Sequence, residues 1–160
     1  MMFKLRSLIP RSTLFMLYNA FILPYLDYCN LVWSGTSQRQ LNRLTILQKK
    51  AVRLCTNSLT LAHTPPIFKE LQTLNLRDRI SFKLGIFMYK YVRSVLPDIF
   101  IDYFSSHATK HSFNTRNKQH YILPLYRLKI SQSNSIKYKG AKLWNLLSMK
   151  LKTVNTLNLF

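Results

Sequence analysis

The chain has 160 residues, 48% of them hydrophobic, with only 3 glycines and 6 prolines, a composition that excludes a flexible linker and a low-complexity polymer. Lysine and arginine total 24 against 5 acidic residues, and the resulting formal charge of +19 is too large for the acids to neutralise. An anionic partner is therefore expected, with nucleic acid ahead of an anionic membrane surface, and a solvated basic surface remains the alternative.

The first predicted helix begins near Ser12 or Thr13, either of which is suited to cap it. Pro24 is expected to kink or restart this helix, because proline cannot donate the backbone hydrogen bond that a helix interior requires. Residues 25–33 are apolar nearly all round, which predicts a helix buried on most sides. The uncharged stretch at residues 14–26 is about half as long as a membrane span, which favours a core helix.

Two cysteines, Cys29 and Cys55, lie far apart within apolar helical patterns. Both are predicted to be reduced core residues that pack as small hydrophobic side chains. A reducing compartment fits this usage, because the sequence lacks the dense cysteine spacing of a secreted disulfide framework.

The second predicted helix has two contrasting faces. Ser37 and Gln40 have the spacing of a capping box and mark its start. At about 100° per residue its apolar residues fall on one face, namely Leu41, Leu44, Leu47, Ala51, Leu54 and Cys55. Its basic residues fall within an arc of about 80° on the opposite face, namely Arg39, Arg43, Lys50 and Arg53, with Lys49 nearby and no acid. This basic face is a candidate for phosphate contacts.

Two further helices are predicted from their start signals. Thr64 is expected to cap a short helix with Pro65 at its first position. Asn75, followed three residues later by Asp78, opens a longer helix to about residue 93. Its apolar stripe is Leu76, Ile80, Leu84, Phe87 and Tyr91, and its basic far side is Arg79, Lys83, Lys90 and Arg93. Because both long helices are apolar inward and basic outward, they are predicted to form a shared ligand-facing surface.

The region after the long helix begins with a short aromatic helix from about residue 98 to Phe104. Residues 105–120 are polar and predict a basic loop. Phosphate contacts and stacking on unpaired bases are expected there from Lys110, His111, Arg116 and Lys118, interleaved with Phe113 and Tyr121.

The C-terminal part is predicted to be less regular. Residues 121–128 favour an edge or irregular strand, since Pro124 cannot donate to a sheet, and a last helix is expected at 141–147. The predicted fold is mainly α: an amphipathic helix bundle over residues 1–104, the basic loop over 105–120, a small, partly extended C-terminal extension over 121–150, and a frayed tail over 151–160.

The acidic residues do not form a catalytic pattern. Polymerase chemistry needs carboxylates that hold two metal ions, and the only acids are Asp27, Glu70, Asp78, Asp98 and Asp102. Asp98 and Asp102 are interpreted as acids that stabilise the start of a helix. His107 and His111 have helical spacing, but no third ligand lies nearby in the sequence. Neither a catalytic residue nor a metal site is therefore predicted in this chain.

Seven short blocks occur in a set order. They are LYNAFILPYLDYC at residues 17–29, LQKKAVR at 47–53, HTPPIF at 63–68, FMYKY at 87–91, LPDIF at 96–100, NTR at 114–116 and YKGAKLWN at 138–145. In this order they resemble the C-terminal region of jockey-like, LINE-type non-LTR retrotransposon reverse transcriptases, over residues 1–147. The family often has Gly-Pro where Gly140-Ala141 stands, and a proline near Ser148.

The resemblance implies a position in a larger enzyme. In the family this stretch follows the polymerase palm, and its first part resembles the thumb, which holds the template–primer duplex. The implied parent activity is RNA-directed DNA synthesis, whose Mg²⁺ would belong to the palm, so no cofactor is expected in this chain. The expected partners are nucleic acid (template–primer duplex or element RNA) and the upstream palm, with no membrane. The expected location is the nucleus or a cytoplasmic ribonucleoprotein.

Alternatives from other classes remain open. One is a basic structural RNA-binding protein of a ribonucleoprotein, although a long basic tail without an apolar core would be typical and this chain has a patterned core. Another is a peripheral membrane protein that uses residues 14–26. The last is a non-functional remnant that does not fold stably without the palm.

Overall fold

The computed structural model describes residues 6–110, 120–128, 132 and 134–154. Within these ranges the chain is mainly helical, as predicted, and β pairing is limited to one isolated antiparallel bridge between Ser106 and Tyr121. The chain divides into two compact units, Met1–Ile80 (unit 1) and Ser81–Phe160 (unit 2), and the boundary falls inside a continuous helix.

The helices of unit 1 follow one another with short connections. Unit 1 contains α1 (Arg11–Phe21), α2 (Leu23–Asp27), α3 (Asn30–Trp33), α4 (Gln38–Cys55), α5 (Thr64–Glu70) and the first turn of α6 (Leu76–Val92). Unit 2 contains the rest of α6, a 3-10 helix (Asp98–Phe100), α7 (His107–Lys110), α8 (Ile136–Leu146) and α9 (Met149–Lys152).

The core of unit 1 is formed by α1, α4 and α5. Its buried side chains are Leu14, Tyr18, Ala51, Val52, Cys55, Ile67 and Phe68. Each of the three helices contributes one apolar face, so that none is stable without the others.

The buried face of α4 differs from the predicted one. Leu47 is predicted in the core but is 60% exposed, whereas Gln48 is 2% exposed. Gln48 Nε2 donates to the Tyr18 hydroxyl at 3.0 Å and to the Leu74 carbonyl at 3.1 Å, and Gln48 Oε1 accepts the Leu76 N–H at 2.7 Å. An amide with these partners can be buried at little cost. The helix therefore presents Gln48 to the core, which hydrophobic periodicity does not reveal.

The segment at residues 25–33 is much more exposed than predicted. Three of its side chains are largely in solvent, namely Tyr25 (81%), Tyr28 (77%) and Val32 (73%). Pro24 lies in the first turn of α2, and Cys29 has a left-handed backbone, with φ of 47°, between α2 and α3. These two breaks interrupt the helical periodicity, so each short helix buries a single residue, Leu26 in α2 and Asn30 in α3.

The two cysteines occupy opposite environments. Cys55 is 1% exposed in the core, as predicted, and burial raises the pKa of its thiol to about 11. Cys29 is exposed, so the prediction that it packs in the core is wrong. The cause is its position at the left-handed joint, where the chain leaves the helical face on which the prediction rested.

Local signals place most helix starts to within about two residues. α4 begins directly after Ser37, as predicted, although the Ser37 side chain makes no capping hydrogen bond. α5 begins at Thr64, one residue earlier than predicted, and α1 begins at Arg11 rather than after Ser12 or Thr13. At the start of α6 the side chain of Asn75 accepts the N–H of the residue three positions on, at 3.1 Å.

The core of unit 2 joins α6 to α8 through aromatic side chains. Its buried members are Met88, Tyr89, Phe104, Ala141 and Trp144. α8 begins at Ile136, earlier than the predicted start at residue 141, and carries Gly140 in its middle. A Cβ added at Gly140 would lie 2.8 Å from Met88 Sδ and 3.1 Å from Phe104 Cζ, so the glycine permits the close approach of these elements.

Residues 121–128 form no regular strand in the part of the chain that the structure describes. Asn145 Oδ1 accepts the Tyr121 N–H at 2.9 Å, and Asn145 Nδ2 donates to the Tyr121 carbonyl at 2.8 Å. The side-chain amide thus satisfies both backbone groups that a neighbouring strand would otherwise pair.

Candidate nucleic-acid interface

Three of the predicted phosphate-binding residues form an exposed row on α4. Arg39, Arg43 and Lys50 are exposed, on the side of the helix opposite the core of unit 1. They are called the basic ridge below. Among the described residues no carboxylate pairs with any of them, and the sequence has no acid between Asp27 and Glu70. The ridge therefore carries positive charge that no carboxylate of the described residues pairs with. The opposite face of α4 packs in the core of unit 1, which holds the helix in place.

The ridge has dimensions that suit a nucleic-acid backbone. Arg39 and Lys50 are eleven residues apart, which corresponds to about 16 Å along a helix. Phosphates of one DNA strand follow at about 3.4 Å along the duplex axis, so the ridge spans about five of them. Within the described ranges, the one side-chain hydrogen bond of the ridge cations is long, 3.5 Å from Arg43 Nη1 to Gln40 Oε1.

Arg53 belongs to the same predicted arc but is engaged inside unit 1. It is half-buried, and its Nε donates to the Ala62 carbonyl at 2.9 Å. This bond joins the end of α4 to the loop that leads to α5. We therefore assign Arg53 a part in holding this loop, and its contact with a ligand stays a prediction.

Arg79 is also occupied within unit 1. Its Nη1 lies 2.9 Å and 3.0 Å from the two carboxylate oxygens of Asp27, and Nη2 lies 3.5 Å from Thr73 Oγ1. The Arg79 side chain is 13% exposed and that of Asp27 is 28% exposed. This ion pair fixes α2 to the start of α6.

The remaining predicted cations of α6 belong to unit 2. Lys83 and Lys90 are half-buried, and Arg93 is exposed. Arg93 Nη2 donates to the Val154 carbonyl at 2.7 Å, and its guanidinium lies 5.6 Å from the centroid of the Tyr89 ring. These three cations belong to unit 2, whereas α4 belongs to unit 1. That α4 and α6 share one ligand-facing surface therefore stays a prediction.

The predicted basic loop is described only at its start. Lys110 is the last residue of α7, whereas Arg116 and Lys118 lie outside the described residues. Phe113 lies outside them as well. Tyr121, the other aromatic residue predicted to stack on bases, packs against the core of unit 2, with its ring centroid 5.6 Å from that of Phe104 and 5.8 Å from that of Tyr91, so its ring is engaged within the protein.

Sequence reasoning did not single out the lysines of the last helices of unit 2. α8 and α9 carry Lys137, Lys139, Lys142, Lys150 and Lys152, and neither helix contains an acid. Burial lowers the pKa of Lys139 and of Lys152, while Lys137 Nζ lies 5.5 Å from the centroid of the Tyr103 ring. Only Lys142 and Lys150 are exposed, so these lysines do not form a row like the basic ridge.

It also missed an open cleft of about 920 Å³ in unit 1. Residues of α4, α5 and the start of α6 line the cleft, and three of them are cations, Lys49, Lys69 and Arg77. Lys69 and Arg77 lie outside the helical arcs that the periodicity analysis selected. No signal within one helix could have found this cleft, because its cations come from three elements.

Neither a metal centre nor a membrane span emerges from the described residues. No group of three His, Cys, Asp or Glu side chains within those ranges is arranged to hold a metal ion. In the same part of the chain, none of the helices has both the length and the apolar character needed to cross a bilayer. Comparison of the chain with protein-family models, with curated proteins and with solved structures finds no match.

Proposed function

We propose that this chain is the post-palm segment of a non-LTR retrotransposon reverse transcriptase and that it holds a nucleic-acid duplex by its phosphates. The binding part of the proposal is supported by one observation, the basic ridge of Arg39, Arg43 and Lys50 on a helix without acids. Cations of this kind position a duplex without reading its sequence. The family part is supported by the ordered sequence blocks.

The ridge suits a clamp because the opposite face of α4 is rigidly held. Ala51 and Val52 pack in the core of unit 1, and Gln48 is hydrogen-bonded to α1 and to the chain at the start of α6. A duplex that contacts the ridge therefore meets side chains on a fixed helix and not on a loop. Polymerisation itself would be the work of the palm, and this segment would keep the duplex in register.

The binding proposal is tested by the salt dependence of duplex affinity. The dissociation constant of the full chain for a short DNA duplex is measured between roughly 50 and 200 mM salt. If six to ten phosphates are neutralised, the affinity falls by about 10³–10⁵ over this range. The triple variant R39A/R43A/K50A is expected to reduce the slope of log K against log salt by about 2.7, which corresponds to three lost phosphate contacts.

A charge-matched control separates the ridge from simple net charge. The variant R127A/K142A/K150A removes three exposed cations from unit 2 and leaves α4 unchanged. A much smaller change of slope in this control supports the ridge as the contact. Equal slopes for the two triple variants, or a shallow slope for the unaltered chain, would contradict the proposal.

The family proposal is tested on the DNA upstream of the Met1 codon. An open frame that encodes a palm with paired aspartates, joined to this chain, supports it. Stop codons, frameshifts or unrelated sequence would leave the chain as a remnant. A non-cooperative urea transition of the purified chain would favour the same outcome.

A further inference from the structure

The cleft of unit 1 differs in character from the basic ridge. It lies between α4, α5 and the first turn of α6, and all of its lining residues belong to unit 1. The ridge is a row of cations on a convex helix, whereas the cleft is a concave surface of about 920 Å³. It is called the α4–α5 cleft below. A concave site of this size surrounds a ligand, which a helix face cannot do.

The cleft carries an excess of positive charge. Lys49 of α4, Lys69 of α5 and Arg77 of α6 line it, against the single carboxylate of Asp78. That carboxylate already accepts a hydrogen bond from Asn75 Nδ2 at 2.6 Å. Two of the three cations therefore have no acidic counterpart in the lining, and the cleft favours an anionic ligand.

One of these cations is held in position. Arg77 Nη2 donates to Asn42 Oδ1 at 3.0 Å, and the same oxygen accepts a hydrogen bond from Gln38 Nε2 at 2.9 Å. This bond fixes the guanidinium of Arg77 beside α4. It uses one of the five N–H donors, so the others remain able to bind a phosphate.

The cleft also has apolar side chains that are exposed to solvent. Ile46 is 52% exposed and Leu74 is 40% exposed, and Pro65 is exposed as well. Exposed apolar side chains next to cations suit a ligand that alternates flat apolar groups with negative charges. A nucleic-acid strand with unpaired bases has this chemistry, because its phosphates meet cations and its bases meet apolar surfaces.

The volume distinguishes an unpaired strand from a duplex. Clefts of about 300–1,000 Å³ hold ligands of small-molecule size, and a few nucleotides fall in this range, whereas a duplex is too wide to enter. Asn42 and Lys49 face the cleft from one side of α4, while the ridge occupies the adjacent side, since Lys49 and Lys50 point about 100° apart. One nucleic acid with a paired and an unpaired part can therefore contact both surfaces.

From these observations we infer that the α4–α5 cleft binds an unpaired nucleic-acid strand beside the duplex that contacts the ridge. The inference rests on the proposed function, because it assumes the same class of ligand. It adds a second site on unit 1, with Lys49, Lys69 and Arg77 as phosphate ligands and Ile46 and Leu74 as surfaces for the bases.

The test compares two triple variants that lose the same charge from the same unit. Binding of the full chain to an unstructured RNA oligonucleotide and to a DNA duplex is measured for K49A/K69A/R77A and for R39A/R43A/K50A. The cleft variant is expected to bind the RNA at least ten-fold more weakly, with a salt slope reduced by about 2. The ridge variant is expected to lose mainly duplex affinity.

Two additional variants keep the result independent of net charge and of folding. L74A removes an apolar surface without a change of charge, and it is expected to lower RNA affinity about three-fold at an unchanged salt slope, because less apolar area is buried against a base. If K49A/K69A/R77A fails to unfold cooperatively, K49A/K69A/R77K replaces it; this variant loses two charges, and the expected reduction of the salt slope becomes about 1.4. Photo-crosslinked RNA is expected on peptides from residues 64–78, which line the cleft and contain no ridge residue.

The outcomes separate this inference from the proposed function. Duplex binding without RNA binding, equal loss of RNA affinity in both triple variants, or crosslinks confined to other peptides would overturn the cleft site and leave the ridge intact. Binding of neither ligand by the unaltered chain would overturn both.

Discussion

The buried hydrogen bonds of Gln48 lead to a sharp prediction about the stability of unit 1. Gln48 is 2% exposed, and its amide joins α4 to the Tyr18 hydroxyl, to the Leu74 carbonyl and to the N–H of Leu76, which is itself 0% exposed. The substitution Q48A deletes all three bonds. The Leu76 N–H, at the first residue of α6, then has no acceptor within the core.

The expected magnitude follows from the two bonds that are fully buried, those to Tyr18 and Leu76. A buried polar group left without its partner costs about 1–3 kcal/mol. Q48A should therefore lower the free energy of unfolding by about 2–6 kcal/mol, a large part of the roughly 5–15 kcal/mol that a domain possesses. With a urea m-value of about 2 kcal/mol/M, the midpoint falls by about 1–3 M.

The assay is urea unfolding followed by far-ultraviolet circular dichroism, with two further variants. Q38A removes an exposed glutamine of the same helix and should change the free energy of unfolding by less than about 0.5 kcal/mol. Q48L keeps the side-chain size but cannot accept the Leu76 N–H, so it should remain destabilised. A Q48L protein as stable as the unaltered chain would refute the hydrogen-bond argument, and so would a Q48A midpoint within error of it.

Three predictions concern the thiols and α8. Cys29 should react with a thiol reagent in the folded chain and Cys55 only after unfolding; equal rates would contradict the buried position. Because burial raises the pKa of Cys55 to about 11 from about 9.0 in an unfolded chain, stability should fall as pH rises through this interval, and C55A should reduce that fall in a urea titration. G140A should lower the free energy of unfolding by about 1–3 kcal/mol, because its Cβ would meet Met88, although alanine has the better helix propensity. K142A, at an exposed position of the same helix, is the control. A G140A protein more stable than the unaltered chain would show that the contact relaxes.

Much of the helical framework and the ridge could be predicted from residues that are close together in the sequence. Asn75 precedes a helix start because its side chain caps the N–H three residues on, and α4 begins directly after Ser37 although that side chain makes no capping bond. Arg39, Arg43 and Lys50 share one side of α4 because helix geometry alone sets their directions. Such signals fail where the local geometry breaks, as at Cys29, whose left-handed backbone makes the pattern at residues 25–33 misleading.

What the sequence by itself determined is therefore the helical class, the excess of positive charge and the row of cations on α4. The tertiary structure decided which polar groups are buried and which cations are engaged. Gln48 enters the core because Leu74 and Leu76 supply its partners, and Arg79 is engaged because Asp27, 52 residues away, reaches it. The physical reason is that desolvating a polar group is tolerable only when a partner is present. That partner comes from a distant part of the chain, where no local pattern can indicate it.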